Sequence, residues 1–282
     1  MLPSEAWYLQ GVKPAALWTS LMLILVLAAI AFLVRRFEGN LVFFPSREWD
    51  VRLADFQAAE EVQFQSADGL ILSAAWLKAS PSRAVILYCH GNAGNLSHRI
   101  STADLWRREF GVSVFLFDYR GYGRSQGSPS EEGIFQDALA AVQELRRVAP
   151  GQPVIAYGRS LGTVPAIRLA LTEALSGLIL DSPLTNAHEM AGRILPLPGI
   201  GWVTSFKLDN LGAVSSLKTP LLVFHGERDT IIPLEQGRRV FEAASRPKKL
   251  VILEGQGHND NRTNHGFLSE FREFLDVVMS TR

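Results

Sequence analysis

Ser160 is the residue of this sequence whose setting most directly suggests chemistry. It is the centre of the pentapeptide GRSLG (158–162), which follows the apolar run PVIAY and precedes a helix-like stretch. A sharp turn from a strand into a helix needs glycines on both sides of the serine, and it lifts the hydroxyl above the sheet edge. The pentapeptide alone is a weak signal. Its position between a strand and a helix is what predicts that Ser160 is a nucleophile.

Two further polar residues follow two later strand-like runs. Asp229 comes after PLLVF, in HGERDTIIP, and His258 comes after KKLVIL, in EGQGHND. A serine hydroxyl is a poor nucleophile at neutral pH, so it needs a histidine to take its proton and an acid to orient the imidazole. The chain order serine, aspartate, histidine is the order that accompanies this type of serine turn. We therefore predict that Ser160, Asp229 and His258 form a catalytic triad for acyl transfer.

Other residues compete for two of these roles. Asp181 also ends a strand-like run and is a rival for the acid, with Asp260 and Asp209 as further candidates. His265 is a rival for the base, although it lies where the last helix should begin. The glycines on either side of Gln256 favour His258, because they predict an exposed and tightly turned loop.

The segment HGNAGN (90–95) follows the apolar run AVILYC. Backbone N–H groups in such a glycine-rich turn can point at a developing oxyanion. We predict an oxyanion hole made by the N–H groups of Asn92 and Leu161, with His90 in a structural role; an ordinary strand–helix loop is the alternative. Since no histidine or cysteine cluster has metal-ligand spacing, we expect neither a metal nor another cofactor.

The elements that position these residues alternate along the chain. Continuous apolar runs of strand length are typical of strands buried on both faces of a sheet, and their alternation with helices predicts a mostly parallel, doubly wound α/β sheet. Ligands bind such a sheet beyond the carboxyl ends of its strands, where the candidates lie. The predicted strands are 60–65, 70–78, 84–90, 112–118, 153–158, 176–181, 220–226 and 248–255, and the predicted helices are 97–110, 130–148, 160–174, 235–245 and 266–279.

The N-terminal region carries a different signal. Residues 15–34 are apolar and uncharged, and Arg35 and Arg36 end the run. As a helix this run spans roughly 30 Å, the thickness of the hydrocarbon core of a bilayer. We predict a single-pass membrane anchor; a signal peptide cleaved after the sequence AIA (29–31) is the alternative. More arginines follow the run than precede it, which favours a cytoplasmic catalytic domain.

The whole chain limits the possible partners and domains. Lys plus Arg and Asp plus Glu both number 28, so no basic field exists to attract nucleic acid. The single cysteine, Cys89, excludes an intramolecular disulfide. The predicted domains are a tail (1–14), the anchor (15–36), a linker and juxtamembrane segment (37–59) and the catalytic domain (60–282). This domain includes a short cap (183–218), whose apolar stretch 194–206 contains Trp202 and Phe206 as predicted substrate-binding residues.

Taken together, the motifs HGNAGN, FDYRGYGRSQG, YGRSLG, HGERDTIIP and GHND resemble the membrane-anchored branch of the α/β-hydrolase-domain proteins, from about Leu41 to the C-terminus. The resemblance implies an α/β-hydrolase fold with eight strands, and it puts the catalytic roles on Ser160, Asp229 and His258 and the oxyanion role on Asn92 and Leu161. The resemblance does not name a substrate. We predict hydrolysis of a carboxylic ester or thioester, with a small-molecule or lipid-like acyl substrate. An acyl-protein thioesterase, a peptidase and a non-catalytic membrane scaffold are the alternatives; the short N-terminal region has no room for the large accessory domain that would favour a peptidase.

Overall fold

The computed structural model describes residues 14–194, 199, 201, 203–260 and 262–280. Its centre is one eight-stranded sheet in the order β1-β2-β4-β3-β5-β6-β7-β8. β1 pairs antiparallel with β2, and β2 pairs antiparallel with β4, whereas the other pairs are parallel. The predicted mostly parallel sheet is confirmed. The strands are β1 Ala59–Gln65, β2 Ile71–Leu77, β3 Val85–Cys89, β4 Ser113–Phe117, β5 Val154–Arg159, β6 Gly177–Asp181, β7 Leu221–Gly226 and β8 Lys248–Leu253.

Helices cover both faces of the sheet. Successive side chains of a strand point to opposite faces, so the continuous apolar runs feed two cores. Leu87 of β3 packs in the core under α3, α4 and α7, while Ile86 packs in the core under α2 and α8. The described helices are α1 Pro14–Val42, α2 Ile100–Phe110, α3 Glu131–Val148, α4 Thr163–Thr172, α5 Ala187–Ile194, α6 Asn210–Val214, α7 Leu234–Ala243 and α8 His265–Ser280.

Three parallel strands end at the same edge of the sheet and lead into the candidate residues. β5 ends at Arg159, immediately before Ser160, and a short 3-10 turn, Ser160–Gly162, connects it to α4. β7 and β8 end shortly before Asp229 and His258. Because parallel strands present their carboxyl ends together, residues far apart in sequence converge above this edge.

The N-terminal helix α1 continues past residue 36, where the sequence places the end of the anchor. Among the described residues it is the one helix long and apolar enough to cross a membrane, over Leu17–Val42. Its last two turns contact the segment after the cap helix α5. Arg35 Nε donates to the Val203 carbonyl oxygen at 3.1 Å, and the buried Glu38 carboxylate accepts the Ser205 N–H at 2.9 Å. The end of α1 is thus part of the catalytic domain's packing.

Candidate active site

The turn at Ser160 has the strained geometry that the pentapeptide predicts. Ser160 has a φ of 52°, in the left-handed region that costs energy for any residue with a side chain. A Cβ on Gly158 would lie 2.5 Å from the Gly162 carbonyl oxygen, and a Cβ on Gly162 would collide with the Cys89 carbonyl oxygen. Glycines at both positions let the turn pack tightly against β3, so the turn holds Ser160 in place.

The acid and the base predicted from sequence are in contact. His258 Nδ1 lies 2.7 Å from Asp229 Oδ2, and both side chains are buried. Asp229 Oδ1 accepts the N–H groups of Ile231 and Ile232 at 3.0 and 2.8 Å. Burial raises the pKa of the Asp229 carboxyl. The hydrogen bond and the charge of His258 lower it by more than burial raises it, so the pKa lies below its usual range. Asp229 is therefore ionised at neutral pH and orients the imidazole.

Ser160 and His258 line the same cavity, which has a volume of about 750 Å³. Since His258 Nδ1 faces Asp229, Nε2 is the nitrogen left to exchange a proton with a serine hydroxyl. Among the described residues no hydrogen bond joins Ser160 to His258; such bonds are often long before a substrate binds. The arrangement has the parts that nucleophilic acyl transfer requires.

The rival residues lie in other environments. Asp181 accepts hydrogen bonds from Arg262 Nε at 3.1 Å and from the Tyr157 hydroxyl at 2.8 Å. Asp209 caps α6 by accepting the Gly212 N–H at 2.8 Å. Asp260 is exposed and accepts the Gly257 N–H at 2.7 Å. His265 is the first residue of α8, as expected. The structure pairs His258 with Asp229 and with none of these.

Asp181 is instead the centre of a buried charged cluster behind the site, which sequence reasoning missed. Arg159 Nε lies 3.6 Å from Asp181, and the Arg159 Nη2 donates to the His258 carbonyl oxygen at 2.6 Å. Arg262 also donates to Gln256 Oε1 at 2.9 Å. Burial raises the pKa of the Asp181 carboxyl, but Arg262 and Arg159 lower it more strongly. This cluster ties the His258 loop to the ends of β5 and β6.

A second buried histidine, His225, supports the acid. Its Nε2 lies 2.8 Å from the Ile232 carbonyl oxygen and 3.5 Å from Asp229 Oδ2. Burial lowers the pKa of His225, so the ring is neutral at neutral pH and donates from Nε2 to that carbonyl. His225 therefore holds the turn that carries Asp229. The sequence offered one signal for this role, its position in HGERD at the end of β7.

The predicted oxyanion loop lies against the nucleophile. A Cβ on Gly91 would be 3.6 Å from Ser160 Cβ, so the loop backbone passes close to the serine. The Asn92 side chain has a role that the sequence did not suggest. Its Oδ1 accepts the Phe44 N–H at 3.0 Å and the Tyr122 hydroxyl at 2.9 Å, and its Nδ2 donates to the Val42 carbonyl oxygen. Asn92 thereby fastens the loop to the end of α1.

His90 is buried beside this loop. Its Nδ1 lies 2.7 Å from the Gly91 carbonyl oxygen, and its Nε2 lies 3.4 Å from Asp118. These contacts are those of a structural residue, as the sequence analysis expected.

Neither of the two predicted substrate-binding residues is placed in the cavity by the described part of the structure. Trp202 lies outside the described residues. Phe206 packs edge-to-face on Phe43, with ring centroids 5.5 Å apart, and is not among the described residues that line the cavity. The apolar wall is formed instead by the end of α1, the cap helix α5 and two loops. Its main members are Leu41, Val42, Phe44, Leu184, Met190, Ala191, Ile194, Leu208, Ile231 and Ile232.

Comparison with known proteins identifies the family. The family described as Hydrolase_4, serine aminopeptidase, S33, matches residues 80–211. Human alpha/beta hydrolase domain-containing protein 17B is 30% identical over 232 residues, which are 81% of this chain and 79% of that protein. The chain belongs to the α/β-hydrolase superfamily. The uncharacterized protein YfhR of Escherichia coli is also similar to this α/β-hydrolase, at 30% identity over 92% of this chain and 94% of that protein.

Solved structures show the same fold. The Pyrococcus furiosus esterase Pf2001 superposes with a TM-score of 0.71 at 21% identity, covering 84% of this chain and 98% of that chain. Est1E from Butyrivibrio proteoclasticus, solved with ferulic acid, gives a TM-score of 0.67 at 20% identity, covering 78% and 100%. The α/β-hydrolase fold predicted from the motifs is confirmed, and family membership makes this chain a hydrolase-type protein.

Proposed function

We propose that this α/β-hydrolase is a membrane-anchored serine hydrolase that cleaves carboxylic ester or thioester bonds. The observation that carries the proposal is the cavity that Ser160 and His258 both line, with His258 bonded to the buried Asp229. Each residue of the triad comes from the end of a different parallel strand, so the sheet itself fixes their relative positions.

The proposed reaction proceeds through an acyl-enzyme. Ser160 Oγ attacks the substrate carbonyl carbon while His258 Nε2 takes the hydroxyl proton. The N–H groups of Asn92 and Leu161 stabilise the oxyanion of the tetrahedral intermediate. The alcohol or thiol leaves with the proton from His258, and a water activated by His258 then releases the carboxylic acid. Asp229 stays ionised throughout and stabilises the imidazolium.

The apolar wall supports an acyl substrate. It is lined by the cap helix α5 and by the end of the helix that we propose to be the membrane anchor. An acyl chain could therefore enter from the lipid surface and pack against Met190 and Leu41. Each buried methylene contributes up to about 0.8 kcal/mol, which is nearly fourfold in binding.

We further propose that α1 stays attached as a single-pass anchor with the catalytic domain on the cytoplasmic side. The arginines after the apolar run favour that side. The retention of α1 is proposed from the length and apolar composition of Leu17–Val42. The contacts of Arg35 and Glu38 with the cap segment do not bear on it, because they would remain after signal cleavage before residue 32.

A matched substrate panel tests the proposed function. The purified full-length protein in neutral detergent is given an ester, a thioester and an amide with the same octanoyl group. We expect hydrolysis of the ester, the thioester or both, with the amide slower by at least about a hundredfold. Preferred cleavage of the amide would favour the peptidase alternative. No cleavage of any of the three, together with no labelling by a fluorophosphonate, would favour the scaffold.

A further inference from the structure

The same cavity has a second wall of opposite chemistry. It is formed by the start of α2 and by the loop around His258, and it is called the polar wall here. Its members are His98, Arg99, Ser101, Thr102, Asn259 and Asp260. The hydroxyl groups of Ser101 and Thr102 make no hydrogen bond within the described part of the chain. The cavity thus offers polar donors in addition to its apolar wall.

Arg99 is the charged member of the polar wall that has an unsatisfied hydrogen-bond donor. Its Nη2 donates to the Ala93 carbonyl oxygen at 2.6 Å, but its buried Nε has no hydrogen-bond partner. Across the described residues it forms no ion pair with a carboxylate. Asp118, the nearby acid, already accepts the Leu96 N–H at 2.7 Å and the Trp49 Nε1–H at 3.0 Å. A partly buried guanidinium without a counter-charge is costly unless a ligand supplies one.

The neighbouring charges do not neutralise Arg99. Arg159 lines the same cavity, and its partner Asp181 is shared with Arg262, so that buried cluster carries one excess positive charge. Burial lowers the pKa of Arg99, and the charge of Arg159 also lowers it, whereas the charge of Asp118 raises it. The net pKa is lowered, so Asp118 offsets burial and Arg159 only in part. Asp260 is the acid of the polar wall, but it is exposed and already accepts the Gly257 N–H. The His98 ring is paired with Asp50.

We propose that Arg99 binds a phosphate group on the alcohol portion of the substrate, so that acyl esters of a phosphorylated alcohol are the preferred substrate class. This inference rests on the proposed function, because it requires that an acyl ester is cleaved at Ser160. In this proposal the apolar wall receives the acyl chain and the polar wall receives the leaving group, and Ser160 lines the same cavity. Hydrolysis then adds one water and yields a carboxylate and the free alcohol phosphate.

Phosphate fits this position for two reasons. The planar fork of an arginine matches two phosphate oxygens, and Ser101 and Thr102 supply further donors. Phosphate esters are also abundant at the membrane interface, where the proposed anchor would hold the cavity. The hydroxyl groups of a neutral alcohol such as glycerol can accept a hydrogen bond from Arg99, but they supply no negative charge to offset the guanidinium.

A pair of substrates that differ in one phosphate tests the inference. The full-length protein in neutral detergent hydrolyses 1-octanoylglycerol or 1-octanoylglycerol 3-phosphate, and kcat/KM is measured for each. We expect the phosphate ester to be preferred by about tenfold or more in the wild type. Arg99→Gln should bring the ratio close to one. Arg108→Gln, on the exposed side of α2 and paired with Asp104, is the matched control and should keep the wild-type ratio.

A second measurement uses only the wild type, so it tests the inference even if Arg99→Gln does not fold. The ethers 1-octylglycerol and 1-octylglycerol 3-phosphate, which cannot be hydrolysed, compete with p-nitrophenyl butyrate on the wild type. The phosphate ether should bind at least about fivefold more tightly, and the difference should shrink in 0.5 M salt. Equal or weaker binding of the phosphate ether, or a folded Arg99→Gln variant that keeps the phosphate preference, overturns the inference. If neither octanoyl ester is hydrolysed while p-nitrophenyl butyrate is, the inference fails and the proposed function stands. If p-nitrophenyl butyrate is not hydrolysed either, the proposed function itself fails.

Discussion

At the scale of single residues, the contact between Asp229 and His258 favours Asp229 as the proposed acid. Asp229→Asn should lower kcat by a factor on the order of 10⁴ with the fold intact, because the amide can hold the wrong imidazole tautomer. Hydrolysis of p-nitrophenyl butyrate measures the loss, and circular dichroism checks the fold. Asp209→Asn, which changes only the cap of α6, is the control and should stay within about twofold of wild type. An Asp229→Asn variant with near wild-type kcat would remove Asp229 from the triad.

The Asp181 cluster predicts a different phenotype. Asp181→Asn leaves Arg159 and Arg262 buried without their carboxylate, so it should lower the free energy of unfolding by about 3 kcal/mol or more. Activity should fall with it, because Arg159 holds the His258 carbonyl. Guanidinium unfolding measures the change. Asp104→Asn, which weakens the within-helix pairs with Arg107 and Arg108 on α2, should cost less than Asp181→Asn, at about 1 kcal/mol. An Asp181→Asn protein as stable as wild type would show that the cluster does not hold the loop.

The same cluster makes a pH prediction. Folding lowers the pKa of Asp181 below its ordinary value of 3.8. The unfolded chain therefore takes up this proton first, and the stabilisation is present above about pH 4 and lost as the pH falls through the folded-state pKa. The free energy of unfolding should decrease more steeply below pH 4 in the wild type than in Asp181→Asn. Equal slopes in the two proteins would contradict the lowered pKa.

Candidate site residues could be predicted from the sequence where a local motif alone suggests the role of a residue. Ser160, Asp229 and His258 follow apolar runs and stand in glycine-rich turns, so their positions could be inferred without a fold. Arg262 could not be assigned a role, because its partner Asp181 is brought to it only by tertiary packing. The partners of His225 are near it in the chain, and its position in HGERD was the one signal for its role. Asn92 was predicted for its backbone, whereas its side chain bonds to Val42 and Phe44, about fifty residues away in the chain.

At the scale of elements, the cap is where sequence reasoning reached least far. Most of the strands were predictable because a buried strand has a local apolar signature, although β1 is largely exposed. The cap has no such periodicity, and its apolar residues divide between the cavity and the core. Phe206 packs on Phe43, while Met190 and Ile194 of α5 line the cavity. Which apolar side chain faces the substrate depends on how α5 and α1 pack.

The apolar wall predicts a dependence on acyl length. Activity on p-nitrophenyl esters should rise from acetate to a medium-chain ester, and Met190→Ala should flatten this rise more than it slows acetate hydrolysis. Met279→Ala, on α8 in the core of the opposite face, is the matched control and should leave the profile unchanged. A wild type that prefers acetate over every longer ester would contradict an acyl-binding wall. An equal loss on all esters in Met190→Ala would indicate a packing role only.

At the scale of the whole molecule, α1 joins the proposed anchor to the catalytic domain without a break. The full-length protein should stay with membranes through carbonate and high-salt washes, because burial of a spanning helix does not depend on surface charge. Recovery in the wash supernatant, or a mature N-terminus at Phe32, would contradict the anchor.

Two shortened chains distinguish the anchoring role of α1 from the packing of its end on the cap segment. A chain that begins at Leu41 lacks Arg35 and Glu38 and leaves the N–H of Ser205 without its acceptor, whereas a chain that begins at Arg35 keeps these contacts. We expect both to be soluble and to keep the triad, with the shorter chain less stable by about 1–3 kcal/mol. Equal stabilities would mean that the contacts of Arg35 and Glu38 with the cap segment do not contribute to the free energy of unfolding.

The central claim is that Ser160 is the nucleophile of a serine hydrolase, and covalent labelling of Ser160→Ala tests it most directly. Wild type and variant are treated with a fluorophosphonate, the labelled peptide is identified by mass spectrometry, and hydrolysis of p-nitrophenyl butyrate is measured on the same samples. The wild type should carry the label on Ser160. The folded variant should carry none and should lose activity by a factor on the order of 10³ or more. Labelling that persists in Ser160→Ala, or unchanged hydrolysis, would contradict the account.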